Sequence, residues 1–484
     1  MKSHACNRLA VGLIAALTVA PPPGLRAQGA SSVTRDSAVA TPAPPPPPLP
    51  PCLGCGSAKH FGRAATEVVI AEMIPYTMDR WVNHQPWAQT TLQSWGDNLK
   101  QGWTWDNDHF VANQFSHPYS GSLYFNAARS NGYSFWSAAP FSLVGSALWE
   151  YFGETQRPST NDVANTTLGG ITFGETMYRL SGMILDNRST GAERAFREIG
   201  GFLVDPIRGF SRLLNGDMGR VGPNPVDRFP SRLHGSLDLG YQRVDQGPRG
   251  SAVRGPAQAF TFLTLGYGDP LAGDVTHPFG AMRLEVSLAT PGAGMFSQVR
   301  AGGMLAVRDL NKDDRNRQQL GLAMHYHYYN NRAFESGGQG FSGIWTSRRS
   351  IGAHNSLRTE VWLTGFVLAA IKSDYSADSA ALATEKARNY DYGPGGGGRV
   401  LARFEHGDRW FVDLAYQGFW IDVLSGTADY HLYHTASSLL QIRVRGHLAV
   451  GERDFVYFRT SHYSTHPTTH TRDYQVQGFL AWVF

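Results

Sequence analysis

Cysteine is nearly absent from this 484-residue chain, with only Cys6, Cys52 and Cys55. That excludes a disulfide-built scaffold, which packs many cysteines into a short secreted chain. Charge is scarce at 17% of residues, and 43 basic against 39 acidic side chains leave a net +4. So balanced a chain carries no electrostatic footprint for nucleic acid, and no such partner is expected. Only one long apolar run occurs, Leu9–Ala20. It is shorter than the roughly 20 residues of a spanning helix, so a polytopic helical membrane protein is excluded. There is no H-E-x-x-H, zinc-knuckle or phosphate-loop spacing, and neither a metal nor a cofactor is expected.

Glycine (54 residues) and aromatics (12%) are plentiful instead. Lys2 and Arg8 precede the apolar run and "LRAQG" follows it, the layout of a secretory signal peptide over residues 1–27, cut near Ala27. Residues 28–59 hold "TPAPPPPPLPPCLGCG", a disordered proline-rich linker of stiff polyproline character. Its C-x-x-C, Cys52 and Cys55, lacks the histidine a haem site would place at Gly56. It reads as a local disulfide or two unpaired thiols.

From residue 231 to 484 the hydrophobic period is two. In "RLEVSL", Leu284, Val286 and Leu288 oppose Arg283, Glu285 and Ser287; in "QLGLAMHYHYY", Leu320, Leu322, Met324, Tyr326 and Tyr328 oppose His325 and His327. "LQIRVRGHLAV" alternates Ile442, Val444, Leu448 and Val450 against Arg443, Arg445 and His447 as one strand over 438–450. One face in apolar surroundings and one in polar surroundings is what such alternation means. About twelve such segments occur, many of 10 residues or more, as a tilted membrane barrel requires. The last, "YQVQGFLAWVF", puts Tyr474, Val476, Gly478, Leu480, Trp482 and Phe484 on one face. That ending resembles the terminal signal read by the barrel assembly machinery. The expected fold is α+β: an N-terminal helical domain followed by an antiparallel transmembrane β-barrel of about 12 strands. The expected location is the outer membrane, with the helical domain in the periplasm.

Residues 60–230 have a helical period. "TEVVIAEMIPYTMDRWV", "PFSLVGSALWEYF" and "STNDVANTTLGGITFGETMYRLSGMIL" read as helices, the last started by Ser159 after Pro158. At ~100° per residue, Asp106, His109, Asn113 and His117 fall within about 80° of one helical face, in a helix that Pro118 ends. Glu150 and Glu154 lie one turn apart on a second helix, and Asp162 and Asn165 share a face of a third. The uncharged stretch from Ser130 to Trp149 reads as a helix packed within the domain or against the barrel.

The order D-x-x-H-F, E-x-x-x-E-x-Q, P-S-x-x-D-x-x-N, carried by Asp106, His109, Phe110, Glu150, Glu154, Gln156, Pro158, Ser159, Asp162 and Asn165, resembles the VanZ-like proteins linked to glycopeptide resistance. The longer string "FSHPYSGSLYFNAARSNG" with "WEYFGE" resembles an uncharacterised bacterial domain of unknown function over residues 80–185. Neither resemblance brings an established reaction. What they imply is a role in envelope lipid or glycolipid homeostasis, with outer-membrane lipid as partner. His109, Glu150, Glu154 and Asp162 are the catalytic candidates, with His109 as general base. Asp106, Asn113, His117, Asn126, Arg129, Asn165 and Glu175 are the ligand-binding candidates. The same residues equally fit a structural cluster whose polar groups satisfy one another. Two further readings stay open: a lipid hydrolase of the phospholipase or lipid A deacylase type, with His462 and Ser464 in "SHYSTHP" as its pair, and a purely structural or channel barrel.

Overall fold

The computed structural model describes residues 58–225, 227–245, 257–290, 296–331, 334–375 and 388–484. The leader, the proline run, Cys52 and Cys55 lie outside these residues.

Twelve antiparallel strands form a closed barrel. They are β1 Leu233–Asp245, β2 Gln258–Tyr267, β3 Met282–Thr290, β4 Phe296–Asp313, β5 Asn316–Asn330 and β6 Glu335–Ile351. β7 Asn355–Lys372, β8 Tyr390–His406, β9 Trp410–Asp422, β10 Tyr430–Arg445, β11 Leu448–His462 and β12 Thr469–Val483 complete it. β12 closes onto β1 from Ser236↔Val483 to Asp245↔Tyr474, so the alternating C-terminal ending is the closing seam. The number of alternating segments matches the number of strands, but their bounds do not all coincide. Residues 438–450 are not one strand, because Gly446 adopts φ +54° and turns the chain between β10 and β11. A left-handed residue costs glycine nothing, and alternation alone does not reveal it.

One rim carries short turns such as 314–315, 352–354 and 407–409, and it is also where β1 begins and β12 ends. That rim also carries the 268–281 link; the other rim, here called the loop rim, carries the 423–429 and 463–468 links. Inside, Arg283, Glu285, Arg300, Arg399 and Arg453 face the lumen. The alternate residues face outward, and β5 shows what they meet. Leu320 and Leu322 are 49% and 46% exposed, yet Met324, Tyr326 and Tyr328 on the same face are 3%, 1% and 1% exposed. Helices cover the wall there. Phe110 and Phe115 pack on Tyr328, Phe173 on Tyr326, and Phe135 on Phe279.

The helices are α1 Phe61–Thr77, α2 Leu92–Lys100, α3 His117–Ser130, α4 Phe135–Leu148, α5 Thr160–Ala164, α6 Gly170–Ile184, α7 Gly191–Val204 and α8 Pro206–Leu214. Wide π-helical turns extend four of these runs: Met78–Val82, Ala112–Ser116, Trp149–Gly153 and Asn165–Gly169. The second explains why Pro118 does not end its helix, as the residue pattern suggests. The His117 N–H reaches Ala112 O across the widened turn, and Pro118, which has no N–H to offer, sits in the first turn of α3, where none is needed. Ser159 caps α5 as expected, accepting the Asp162 N–H at 3.3 Å.

α3 and the α5–α6 run touch backbone to backbone. A Cβ on Gly121 would lie 1.8 Å from the Thr166 carbonyl oxygen, and one on Gly170 would lie 2.5 Å from the Gly121 carbonyl carbon. Neither position has a side chain to move aside. Gly121→Ala is therefore expected to unseat the helices, an overpacking cost of about 1–3 kcal/mol or more. Gly343→Ala, whose Cβ meets nothing within 4 Å, is a neutral control on the wall. Limited proteolysis of the helical region beside heat-modifiable barrel migration checks this; equal protease resistance in the two variants would refute the close approach.

Candidate functional site

Three of the π-helical turns deliver the polar cluster. Asn113 lies on one, Glu150 on another and Asn165 on the third, all buried at the helix ends nearest β8. Glu150 Oε2 accepts the Ser159 N–H at 2.7 Å, and Asp162 Oδ1 accepts from Asn161 Nδ2 at 2.8 Å. Asp106 Oδ2 accepts from Asn113 Nδ2 at 2.9 Å. His117 stands between Thr166 Oγ1 at 3.1 Å and Asp162 Oδ1 at 3.6 Å. Glu154 is near enough to hydrogen-bond the Glu150 carboxyl. Asp106, Asn113, His117, Glu150, Glu154, Asp162 and Asn165 are therefore brought together.

His109 is not. The chain before Phe110 is not helical, so the four-residue face from Asp106 to His117 does not form as drawn. His109 is exposed and supplies only its carbonyl, to the Asn113 N–H. A side chain in open solvent is no general base for this cluster. Asn126, Arg129 and Glu175 belong elsewhere. Arg129 follows His117 by twelve residues, about 18 Å along α3. There it makes a two-point pair with Glu175 (2.7 and 3.1 Å), which Arg179 joins at 3.0 Å. Asn126 is buried near Asp205.

The barrel completes the cluster, and hydropathy gave no sign of it. The Tyr392 hydroxyl receives amide N–H groups from Gln114, Asn161 and Asn165 at 3.3–3.4 Å. Tyr390 receives one from Asn113 at 2.9 Å, and Gln339 Nε2 donates to Asn165 Oδ1 at 2.7 Å. These tyrosines look like girdle aromatics in the sequence. Only their outward position under the helices reveals them as partners.

Burial, with the Asp162 charge beside it, pushes the Glu150 carboxyl up to about 9. Burial raises Asp162 to about 6 against the pull of His117, and burial, with Glu150 beside it, raises Glu154 as well. Glu150 thus holds its proton at neutral pH beside a largely ionised Asp162. Among the described residues, no three His, Cys, Asp or Glu side chains are placed to hold a metal ion.

Two cavities lie away from the cluster. One, of about 330 Å³, sits where the helices meet the turn rim; it is lined by Arg129, Arg179, Arg208, Arg212 and Arg228, with Tyr178, Asp217, Asp227 and barrel Tyr267. Arg129 and Arg208 flank the Tyr178 ring at 4.4 and 4.1 Å. Arg208 bonds the Tyr178 carbonyl rather than a carboxylate. The other cavity, of about 430 Å³, occupies the lumen near the turn rim and is lined by eight arginines and four carboxylates. Glu285 pairs with Arg283 and Arg300, and Asp413 with Arg403. Toward the loop rim, Phe334, Phe366, Phe419, Tyr433 and Tyr457 pack into an apolar cluster across the lumen.

The hydrolase pair does not form. His462 Nδ1 bonds Asp429 at 3.0 Å, and its ring stacks on Tyr430. Ser461, its neighbour, does meet His431 Nδ1 at 2.8 Å, and His431 Nε2 meets Asp391 at 3.0 Å. All three are buried at 0–1% exposure, and Asp391 also takes the Thr427 and Ala428 N–H groups. The line ties the 423–429 link to the wall and offers the serine no substrate path.

Residues 102–207 match a family model described as a domain of unknown function (DUF3943). No curated protein sequence matches the chain. Solved structures similar to it include the NanC porin (11% identity, TM-score 0.25, covering 50% of this chain and 98% of that one). An outer membrane channel from Pseudomonas putida F1 has 8% identity and TM-score 0.26, covering 55% of this chain and all of that one. The Pseudomonas putida toluene transporter TodX has 9% identity and TM-score 0.25, covering 53% and 90%.

The cluster sets a pH dependence. A carboxyl raised in the folded state stabilises fully below its unfolded value, near 4.5 for Glu150, and loses that contribution as pH rises through about 9. The helical region is expected to loosen between those limits, and Glu150→Gln to flatten the change. Hydrogen exchange of segment 149–169 against pH measures it; an unchanged slope in Glu150→Gln would contradict the assignment.

Proposed function

We propose that this outer-membrane β-barrel serves envelope lipid or glycolipid homeostasis by binding a phosphate-bearing lipid headgroup in the arginine-lined cavity between its helices and its turn rim. The observation that carries the reading is that five guanidinium groups converge there with two aspartates, beside the outer wall. Arginine matches phosphate with paired, charge-assisted N–H bonds. Arg208, bonded to a carbonyl and stacked on Tyr178, keeps donors to offer a ligand. In outer-membrane barrels the short turns face the periplasm, so the cavity would open at the inner leaflet. The resemblance to VanZ-like envelope proteins supports the same reading. A through-channel is disfavoured by the aromatic cluster that fills the lumen toward the loop rim.

Deleting the gene is expected to shift a defined class of anionic lipid or lipid A, and the wild-type chain should restore it. Arg208→Gln should fold with normal heat-modifiable migration but fail to restore the profile, and should copurify several-fold less anionic phospholipid by native mass spectrometry. An unchanged lipid profile in the deletion strain, with equal lipid copurification by both proteins, overturns the reading.

A further inference from the structure

The helices turn their chemistry inside out. Between Ala64 and Met78, α1 carries two charged side chains, Glu67 and Glu72. Glu67 is 2% exposed and takes an N–H from Asn131 at 2.8 Å, and a Glu72 oxygen is buried as well. On the same helix Val69, Met73 and Ile74 face out, 50%, 44% and 61% exposed. A helix of a water-soluble domain does the reverse. α4 repeats the pattern, with Ser142 and Ser146 buried and Leu143 and Val144 exposed, in a stretch without charge from Ser130 to Trp149. Ser122, Thr172 and Thr176 fill the interior at 0% exposure, beside the Gly121–Gly170 contact. Small residues at close helix contacts, and polar ones turned to the bundle interior, are how helices pack in lipid.

Position agrees with chemistry. The helices lie along the outer wall from one rim to the other: Phe135 packs on Phe279 at the turn rim, and Asn161 bonds Tyr392 near the loop rim. They occupy ground that on either side belongs to the barrel's exposed apolar belt, with Leu239 on β1 and Leu414 on β9.

We propose that the helical module is embedded in the outer membrane beside the barrel, with the exposed faces of α1 and α4 against lipid acyl chains. In water, so much contiguous apolar surface would be a liability. A second copy of the chain could also cover it, but the continuity with the barrel belt favours acyl chains. Among the described residues, no helix is long and apolar enough to cross a membrane. That fits export, because a segment too polar to be retained singly passes the inner membrane. Its apolar exterior exists only once the bundle closes its polar groups inside.

The test is independent of any lipid-binding role. Full-length protein, with Cys6, Cys52 and Cys55 changed to serine and a spin label at Val69→Cys or Val144→Cys, is reconstituted in phosphatidylcholine vesicles. Leu363→Cys marks the barrel's lipid face and Asp314→Cys the aqueous turn. Collision with oxygen should exceed collision with a water-soluble nickel chelate several-fold at 69 and 144, as at 363, and the ratio should invert at 314. Should a labelled variant misfold, wild-type protein with photoactivatable phosphatidylcholine should yield acyl-chain adducts on α1 and α4. Aqueous accessibility at 69 and 144, adducts confined to strands, or cross-linking of Val69→Cys between copies overturns the proposal.

Discussion

The structure turns on one interface, the helices laid over the outward face of β2 through β8. Met324, Tyr326 and Tyr328 continue the alternation that leaves Leu320 and Leu322 exposed, so the barrel alone would present all five to its surroundings. Covering Tyr326 and Tyr328 with Phe110, Phe115 and Phe173 removes that surface and fixes the helices in position. Everything polar in the module is then arranged around this contact. Asn113, Gln114, Asn161 and Asn165 are buried because the wall closes over them, and Tyr390, Tyr392 and Gln339 are the wall residues that accept or supply their hydrogen bonds. Buried amides left without such partners would each cost about 1–3 kcal/mol, so the interface selects one register of helix on strand.

Small residues make the arrangement possible. Gly121 and Gly170 bring α3 and the α5–α6 run into backbone contact, and the widened helical turns set Asn113, Glu150 and Asn165 toward one another. Burial in that enclosed space, with the Asp162 charge beside it, raises the Glu150 carboxyl to about 9, and burial raises Asp162 to about 6. Arg129, Arg179 and Glu175 form the charged counterpart at the other end of α3. The module is thus polar at both ends, with small and polar side chains between.

Much of this was legible from residue order. Period-two alternation gives the number of strands, because in a closed barrel the two faces of a strand meet different surroundings. Glu150, Glu154 and Asp162 are found by helical spacing, and Ser159 by its position before a helical run. What escaped has physical causes. Gly446 ends β10 through a backbone angle that hydropathy does not record, and Pro118 is accommodated by a π-helical turn that no propensity scale describes. His109 fits the helical spacing, but the helix starts one residue later. Tyr390 and Tyr392 lie more than 220 residues from their amide partners, and no local pattern connects them. The module's inverted polarity is hidden for a similar reason. A hydropathy window averages Glu67 with Val69, and only the folded bundle separates them by face.

Cross-linking between module and wall tests this account most directly. Asn165→Cys and Gln339→Cys, whose native side chains meet at 2.7 Å, are combined in the chain lacking Cys52 and Cys55. In intact cells a short thiol-to-thiol reagent should join them efficiently, producing a compact species on denaturing gels, while Asn165→Cys with Leu322→Cys should not join. Failure of the first pair in a folded, outer-membrane-resident protein, or equal joining by the second, would contradict a helical module seated on the barrel's outer wall.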